Sequence, residues 1–112
     1  TFSHFIVRLE NAPQRTRSVL HLEGAATFMG LPKLASVLET VPPSTELHVV
    51  FESLTYIDHA CLDLLVNWEK QHQAMGGDLV IDWDQLTARF QRHGSNGSQV
   101  APGGAIEEPK AA

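Results

Sequence analysis

The sequence predicts an α/β domain with a mixed central sheet of about four strands and about three helices mainly on one face. Short alternating or continuously apolar segments are separated by longer segments whose apolar residues recur every three or four positions. The order β-β-α-β-α-β-α contains strand-helix-strand units, which favour parallel pairs with right-handed crossovers. Because a chain of 112 residues supplies too few helices to bury both faces, one sheet face is expected to stay partly free for a partner.

The first segments predict two strands joined by a hairpin-like turn. Residues 5–9 and 18–23 alternate apolar and polar side chains, and turn-forming residues lie between them. Gly24 is expected to close the second strand. In the connection that follows, Phe28 and Met29 are expected to be anchored in the core.

Two amphipathic helices and a strand follow. The first helix is predicted over residues 31–40, with Pro32 in its first turn and a Pro-Pro pair after its end. Residues 47–51 are mostly apolar, which suits a central strand. The second helix is predicted to begin near Asp58 or His59 and to end at a Gly-Gly C-cap, residues 76–77. Its core stripe has helical spacing and comprises Cys61, Leu65, Trp68, His72 and Met75.

The last elements are a short strand over residues 78–83 and a helix over residues 85–92, for which Asp84 is the expected N-cap. From residue 93 onward Gly, Ser, Pro and Ala dominate, and such a segment buries too little apolar surface to offset its ordering entropy. The predicted organisation is therefore one domain, residues 1–92, and a flexible C-terminal tail, residues 93–112.

Composition limits the function classes. A formal net charge of -5, with only eight Lys and Arg residues along the chain, argues against nucleic-acid binding, which needs clustered basic side chains. The single cysteine cannot form an internal disulfide, which is consistent with a reducing compartment. No window has the roughly 18 consecutive apolar residues of a transmembrane helix. We therefore expect no direct membrane insertion of this segment.

The start of the second helix carries the polar side chains that most resemble a site. Asp58 is expected to cap the helix by accepting a free first-turn N–H group, and it could also present charge to a partner. His59, Cys61 and Asp63 suggest a metal site or a reactive thiol. However, residues in a helix are about 100° apart, so Cys61 points to the core while His59 and Asp63 share another face. A small buried cysteine is the simpler interpretation.

No catalytic motif is evident. Phosphate loops, nucleophile elbows and metal-binding His-Glu-x-x-His or Cys-x-x-Cys spacings are absent from the sequence. The other histidines fit ordinary surface or semi-buried positions, and nothing places two strand-end glutamates, among them Glu10 and Glu23, together for acid/base chemistry. We expect the protein not to be an enzyme.

Several of these segments together resemble a STAS domain. They are Leu20-His21-Leu22-Glu23-Gly24, residues 28–38, Leu54-Thr55-Tyr56-Ile57-Asp58 leading into Cys61-Leu62-Asp63-Leu64-Leu65, and Gly76-Gly77-Asp78-Leu79-Val80-Ile81. The resemblance covers residues 5–92 and implies a STAS-like fold. In that family, a loop resembling Ile/Val-Asp-Ser-Ser/Thr-Gly precedes a leucine-rich helix.

The resemblance leaves two branches of the family open. Stand-alone members act as anti-anti-sigma factors and are switched by phosphorylation of a Ser or Thr in that loop. In this chain Ala60 stands at the phosphoacceptor position, Cys61 at the Gly position and His59 at the first Ser. The chain is therefore closer to the second branch, the cytosolic C-terminal domains of SulP-type anion transporters, which carry sulfate, bicarbonate or dicarboxylates.

The resemblance thus implies a non-catalytic regulatory domain of a SulP-type transporter, on the cytoplasmic side of an inner membrane. Its expected partners are the transmembrane domain of its own transporter and also acyl carrier protein or another regulatory protein; no cofactor is expected, and nucleotide binding would be weak. The alternative is a stand-alone anti-anti-sigma regulator without its phosphoacceptor. The expected loop site comprises Asp58, His59, Ala60 and Cys61, and the expected partner-binding face comprises Asp63, Asn67, Lys70 and Gln71.

Overall fold

The computed structural model describes residues 4–11 and 16–94, the last four by their backbone alone. The chain divides into two compact units, Thr1–Ile81 and Asp82–Ala112, which are described separately. The first unit contains β1 (Phe5–Asn11), β2 (Arg17–Ala26), a 3-10 turn (Phe28–Gly30), α1 (Leu31–Leu38), β3 (Glu46–Val50), β4 (Leu54–Ile57), α2 (His59–Ala74) and β5 (Asp78–Val80). The second contains α3 (Trp83–Gly94). The predicted α/β class, with a mixed sheet and three helices, is confirmed.

The sheet has five strands in four lateral positions. β1 runs antiparallel to β2, while β3 pairs with β2 on one side and β5 on the other in parallel register. β4 pairs with the second half of β2 and so continues the line of β3 after a short interruption. The crossovers through α1 and α2 both step in the same direction across the sheet. Two crossovers of the same hand place both helices on one face, and α1 packs against α2 there.

One face of the sheet forms the core with these two helices. Alternate strand residues point to it, and they meet the apolar stripes of α1 and α2. The buried side chains include Leu20, Leu22, Leu47, Val49 and Leu79 from the strands, and Leu34, Leu38, Cys61 and Leu65 from the helices.

The opposite face, called here the open face, carries the intervening residues of the same strands. The register places Glu10, Val19, His48 and Val80 in one row across four strands, and none of them is buried. The open face comprises Ile6, Arg8, Glu10, Arg17, Val19, His21, Glu23, Glu46, His48, Val50, Asp78 and Val80. The helices therefore leave one face of the first unit accessible.

A β-bulge at Gly24 interrupts the regular pairing of β2. From the pair His21–Val50 to the pair Gly24–Leu54, β2 advances three residues and the partner side advances four. From Gly24–Leu54 to Ala25–Tyr56, β2 advances one residue and β4 advances two. Gly24 has a φ of +88°, and a Cβ there would collide with the backbone carbonyl of His4. The expectation that Gly24 closes the strand is therefore wrong, because β2 continues through the bulge to Ala26.

The ends of the helices partly match the predictions. Asp58 caps α2 as predicted, since its Oδ1 accepts the N–H of Cys61 at 3.2 Å. Gly76, with a φ of +89°, follows the helix C-terminus as predicted. Met75 was expected in the core stripe, but it lies at the C-cap and is 55% exposed. α1 ends two residues earlier than predicted, at Leu38.

In the second unit, α3 begins at Trp83 rather than at residue 85. The N–H of Gln85, in the first turn of α3, donates to Oδ1 of Asp82 at 3.0 Å. Asp82 therefore takes the capping role that was expected of Asp84. The preceding strand stops at Val80. α3 reaches Gly94, so the first two residues of the predicted tail are helical, and residues 95–112 lie outside the described part of the chain. No helix in the described ranges is long and apolar enough to cross a bilayer.

His72 was predicted in the core stripe of α2, and it is only 1% exposed. Its Nε2 lies 2.7 Å from the carbonyl oxygen of Thr45, and because a carbonyl only accepts, this nitrogen carries the proton. The ring stacks on Trp68, with centroids 4.3 Å apart, and a Cβ at Gly77 would collide with it. His72 thus ties α2 to the start of β3.

We expect His72→Ala to lower the free energy of unfolding by about 2–4 kcal/mol, because it leaves a cavity and an unpaired buried carbonyl. Urea denaturation followed by circular dichroism measures this loss. Gln71→Ala, at the exposed neighbouring position, is the matched control and should change the free energy by less than about 0.5 kcal/mol. Equal losses in both variants would contradict the role of His72.

Candidate functional site

The candidate site lies where the C-terminal ends of two parallel strands meet the start of α2. Ala26 at the end of β2 pairs with Ile57 at the end of β4, and the N–H of Asp58 donates to the carbonyl of Ala26 at 3.0 Å. The Sγ of Cys61 donates to the carbonyl of Thr27 at 3.4 Å. These bonds join residues 27–30 and 58–61 into one surface, called here the junction.

The four predicted loop residues lie together at the junction, but they differ in accessibility. Asp58 is half-buried, and one of its carboxylate oxygens is used by the helix cap. His59 is exposed, Ala60 is half-buried and Cys61 is fully buried. His59 is therefore the side chain of this group most available to a partner.

The chemistry of Cys61 is that of a buried thiol. Burial first, then the charge of Asp58 and a hydrogen bond with it, raise the pKa of the Cys61 thiol to about 11. At neutral pH the thiolate, which is the nucleophile and the metal ligand, is therefore nearly absent. Within residues 4–11 and 16–94, no group of three or more His, Cys, Asp or Glu side chains could hold a metal ion.

The predicted partner-binding residues form one exposed strip of α2. Asp63, Asn67, Lys70 and Gln71 are all solvent-exposed. Spacings of four, three and one residues keep them within roughly one side of the helix. From Asp63 to Lys70 the strip extends over seven residues, or about 10 Å at 1.5 Å per residue. It begins one turn after His59, so it is continuous with the junction.

Sequence analysis missed the two most exposed apolar side chains near the junction. Phe28 and Met29 are 64% and 77% exposed, so the expectation that they are anchored in the core is wrong. The physical reason is that the ring of Phe5 packs against Gly30, so close that a Cβ on Gly30 would collide with it. Phe5 thus fills the space beside this turn, and the side chains of the 3-10 turn face solvent.

Comparisons with known proteins inform only the fold. No family model matches the chain, and no curated protein matches it. Among solved structures, the crystal structure of Mglu is similar to this chain with a TM-score of 0.55 at 19% sequence identity. The match covers 69% of this chain and 19% of the Mglu chain. At this identity the likeness supports the fold, and the matched part is a small fraction of that protein.

We expect the Cys61 thiol to resist alkylation by iodoacetamide at pH 7.5 in the folded protein and to react readily in denaturant. Because the pKa is raised, deprotonation destabilises the fold, so stability is retained below about pH 9 and lost as the pH rises toward 11. Intact mass spectrometry after timed alkylation measures the reaction, since the chain has one cysteine.

Asp58→Asn is the informative variant for the thiol. It retains an oxygen that can cap α2 but removes the negative charge beside the thiol. We expect alkylation of this variant to begin at lower pH than alkylation of the original chain. Rapid modification of the original folded protein at pH 7.5 would refute the buried-thiol assignment.

Proposed function

We propose that the chain is a STAS-type regulatory docking domain of a SulP-type membrane anion transporter, without catalytic activity of its own. The observation that carries the proposal is the structure of the junction. Its hydrogen bonds hold a loop at the start of α2, and the side chains next to this loop are exposed polar and apolar groups suited to protein contact. The structure contains two strand-helix-strand units with parallel strands, which is compatible with a STAS-like fold.

Binding explains the junction better than chemistry does. The thiol of Cys61 is buried, bonded to Thr27 and held in its neutral form. Asp58 is engaged by the helix cap. By contrast, Phe28 and Met29 present an exposed apolar ledge at the junction, and α2 presents an exposed polar strip. Protein interfaces typically contain both kinds of surface.

The loop favours the transporter branch over a phosphorylation switch. Such a switch needs a hydroxyl at the helix start, where a phosphate would add about two negative charges beside Asp58. Ala60 has no hydroxyl. The hydroxyls that precede the helix start most closely along the chain are on Ser53, which lies before β4, and on Thr55 and Tyr56, which lie within β4. The hydroxyl of Thr27 lies in the junction, where its oxygen accepts the N–H of Met29 at 3.3 Å.

The partner that fits this function is the transmembrane domain of the same transporter, contacted through the strip of α2 and the ledge of Phe28 and Met29. Acyl carrier protein or another regulatory protein could use the same strip. In this proposal the domain lies on the cytoplasmic side of the membrane, and docking changes the rate of anion transport. A coupling of 1–3 kcal/mol between docking and transport is typical of such regulation.

The test uses the full-length native protein that contains this chain, tagged at its C-terminus and reconstituted into proteoliposomes. Uptake of labelled sulfate, bicarbonate and succinate is measured. The double charge reversal Asp63→Lys with Lys70→Glu should change uptake by about fivefold or more at equal protein content. Glu39→Lys, an exposed change at the C-terminus of α1, is the matched control. A native product without transmembrane helices that captures an anti-sigma factor would favour the alternative branch.

We also predict that an anti-sigma-type serine kinase will not phosphorylate this chain, whereas Ala60→Ser will accept phosphate weakly. The reason is the missing hydroxyl at the helix start. Incubation with kinase and ATP followed by intact mass and fragment mapping measures the result. Stoichiometric phosphate on Ser53 or Thr55 would contradict the prediction and support the phosphorylation-switched regulator.

A further inference from the structure

The open face carries two similar charged clusters that the proposed function does not use. In each cluster one glutamate lies between an arginine and a histidine. Glu10 lies 3.0 Å from Nη1 of Arg8 and 3.2 Å from Nε2 of His21. Glu46 lies 3.9 Å from Nε of Arg17 and 3.2 Å from Nε2 of His48. The two clusters lie on neighbouring strand pairs of the same face.

The open face has an excess of negative charge when its histidines are neutral. Two further carboxylates, Glu23 and Asp78, lie on it, and Glu23 is 3.9 Å from Nη2 of Arg8. Four carboxylates therefore face two guanidinium groups, which leaves two negative charges in excess. Ile6 and Val80, each 41% exposed, add apolar surface on the two outer strands.

Charged and apolar side chains from neighbouring strands surround each histidine. His21 lies directly opposite Arg8 on β1 and Val50 on β3, with Glu10 beside Arg8 and Glu23 two residues along its own strand.

His48 lies opposite Val19 on β2 and Val80 on β5, with Glu46 two residues away on β3. The residues opposite Glu46 in the next row are Arg17 and Asp78. Nε2 of His48 is shielded from solvent and makes no well-aligned hydrogen bond. Its nearest acidic neighbour is Glu46, so a proton on this nitrogen would be balanced mainly by that carboxylate.

We propose that the open face docks a Lys- and Arg-rich amphipathic segment, because its four carboxylates outnumber its two guanidinium groups. The source we assign is a basic cytoplasmic segment of the transporter's membrane domain, because positive charge is enriched next to transmembrane helices on that side. The assignment of this source rests on the proposed function. The preference for a cationic segment rests on the charges of the open face.

The negative charge of the open face is present at neutral pH. The hydrogen bond and charge of His21, followed by Arg8, lower the pKa of Glu10, so this carboxylate is ionised there. Its contribution is lost only below the ordinary carboxyl range.

The experiment titrates the ¹⁵N-labelled full chain with a short helical peptide of leucine and lysine, and with its leucine-glutamate counterpart. At pH 7.5 the lysine peptide should shift amide resonances of β1, β2, β3 and β5, and the glutamate peptide should not. Shifts confined to α2 or the junction would overturn the assignment of the surface.

Matched variants distinguish an effect of charges on the open face from an effect of the net charge of the protein. Glu23→Gln and Asp78→Asn should each weaken binding severalfold, whereas Glu39→Gln and Glu52→Gln, which remove the same charge elsewhere, should not. Equal weakening by all four would overturn docking at this face.

The outcomes also distinguish this inference from the proposed function. If the lysine peptide binds the open face but the full-length native protein has no transmembrane helices, the docking surface is supported and the assigned source of the basic segment is rejected. If uptake responds to the charge reversal on α2 but the domain does not bind the lysine peptide, the proposed function is supported and docking at the open face is rejected.

Discussion

The arrangement of the first unit depends on one constraint, the burial of a single sheet face by helices that both cross over in the same direction. Because β2 to β3 and β4 to β5 advance across the sheet the same way, α1 and α2 lie side by side on one face. Leu20, Leu47 and Leu79 are buried there. The alternation of side chains then leaves every second residue of the same strands on the open face, where polar and charged side chains can remain hydrated.

Local signals in the sequence predicted most of this fold, and the misses have physical causes. Asp58 was predicted as the cap of α2 because capping depends on residues within one turn. His72 occupies the predicted apolar stripe, but its full burial depends on a carbonyl of Thr45, 27 residues earlier. The exposure of Phe28 likewise depends on Phe5, which fills the space beside Gly30. Such long-range packing is not encoded in a local hydrophobic pattern.

The candidate site was predictable to a similar degree. The exposed strip of α2 followed from helical periodicity, and the burial of Cys61 followed from its place on the apolar stripe. The Arg-Glu-His clusters could not be predicted from the sequence, because their members come from strands whose pairing had to be known first. A shift of one residue between β1 and β2 would place Glu10 on the opposite face from His21. Charge clusters on a sheet therefore become visible only after the register is fixed.

The junction and the open face are connected through one strand. His21 and Glu23 of β2 belong to the open face, and two residues beyond Gly24 the same strand ends at Ala26, whose carbonyl receives the N–H of Asp58. The bulge at Gly24 lies between these segments, and a side chain at this position would collide with the backbone of His4. A partner on the open face and a partner at the junction would therefore both contact β2, on either side of Gly24.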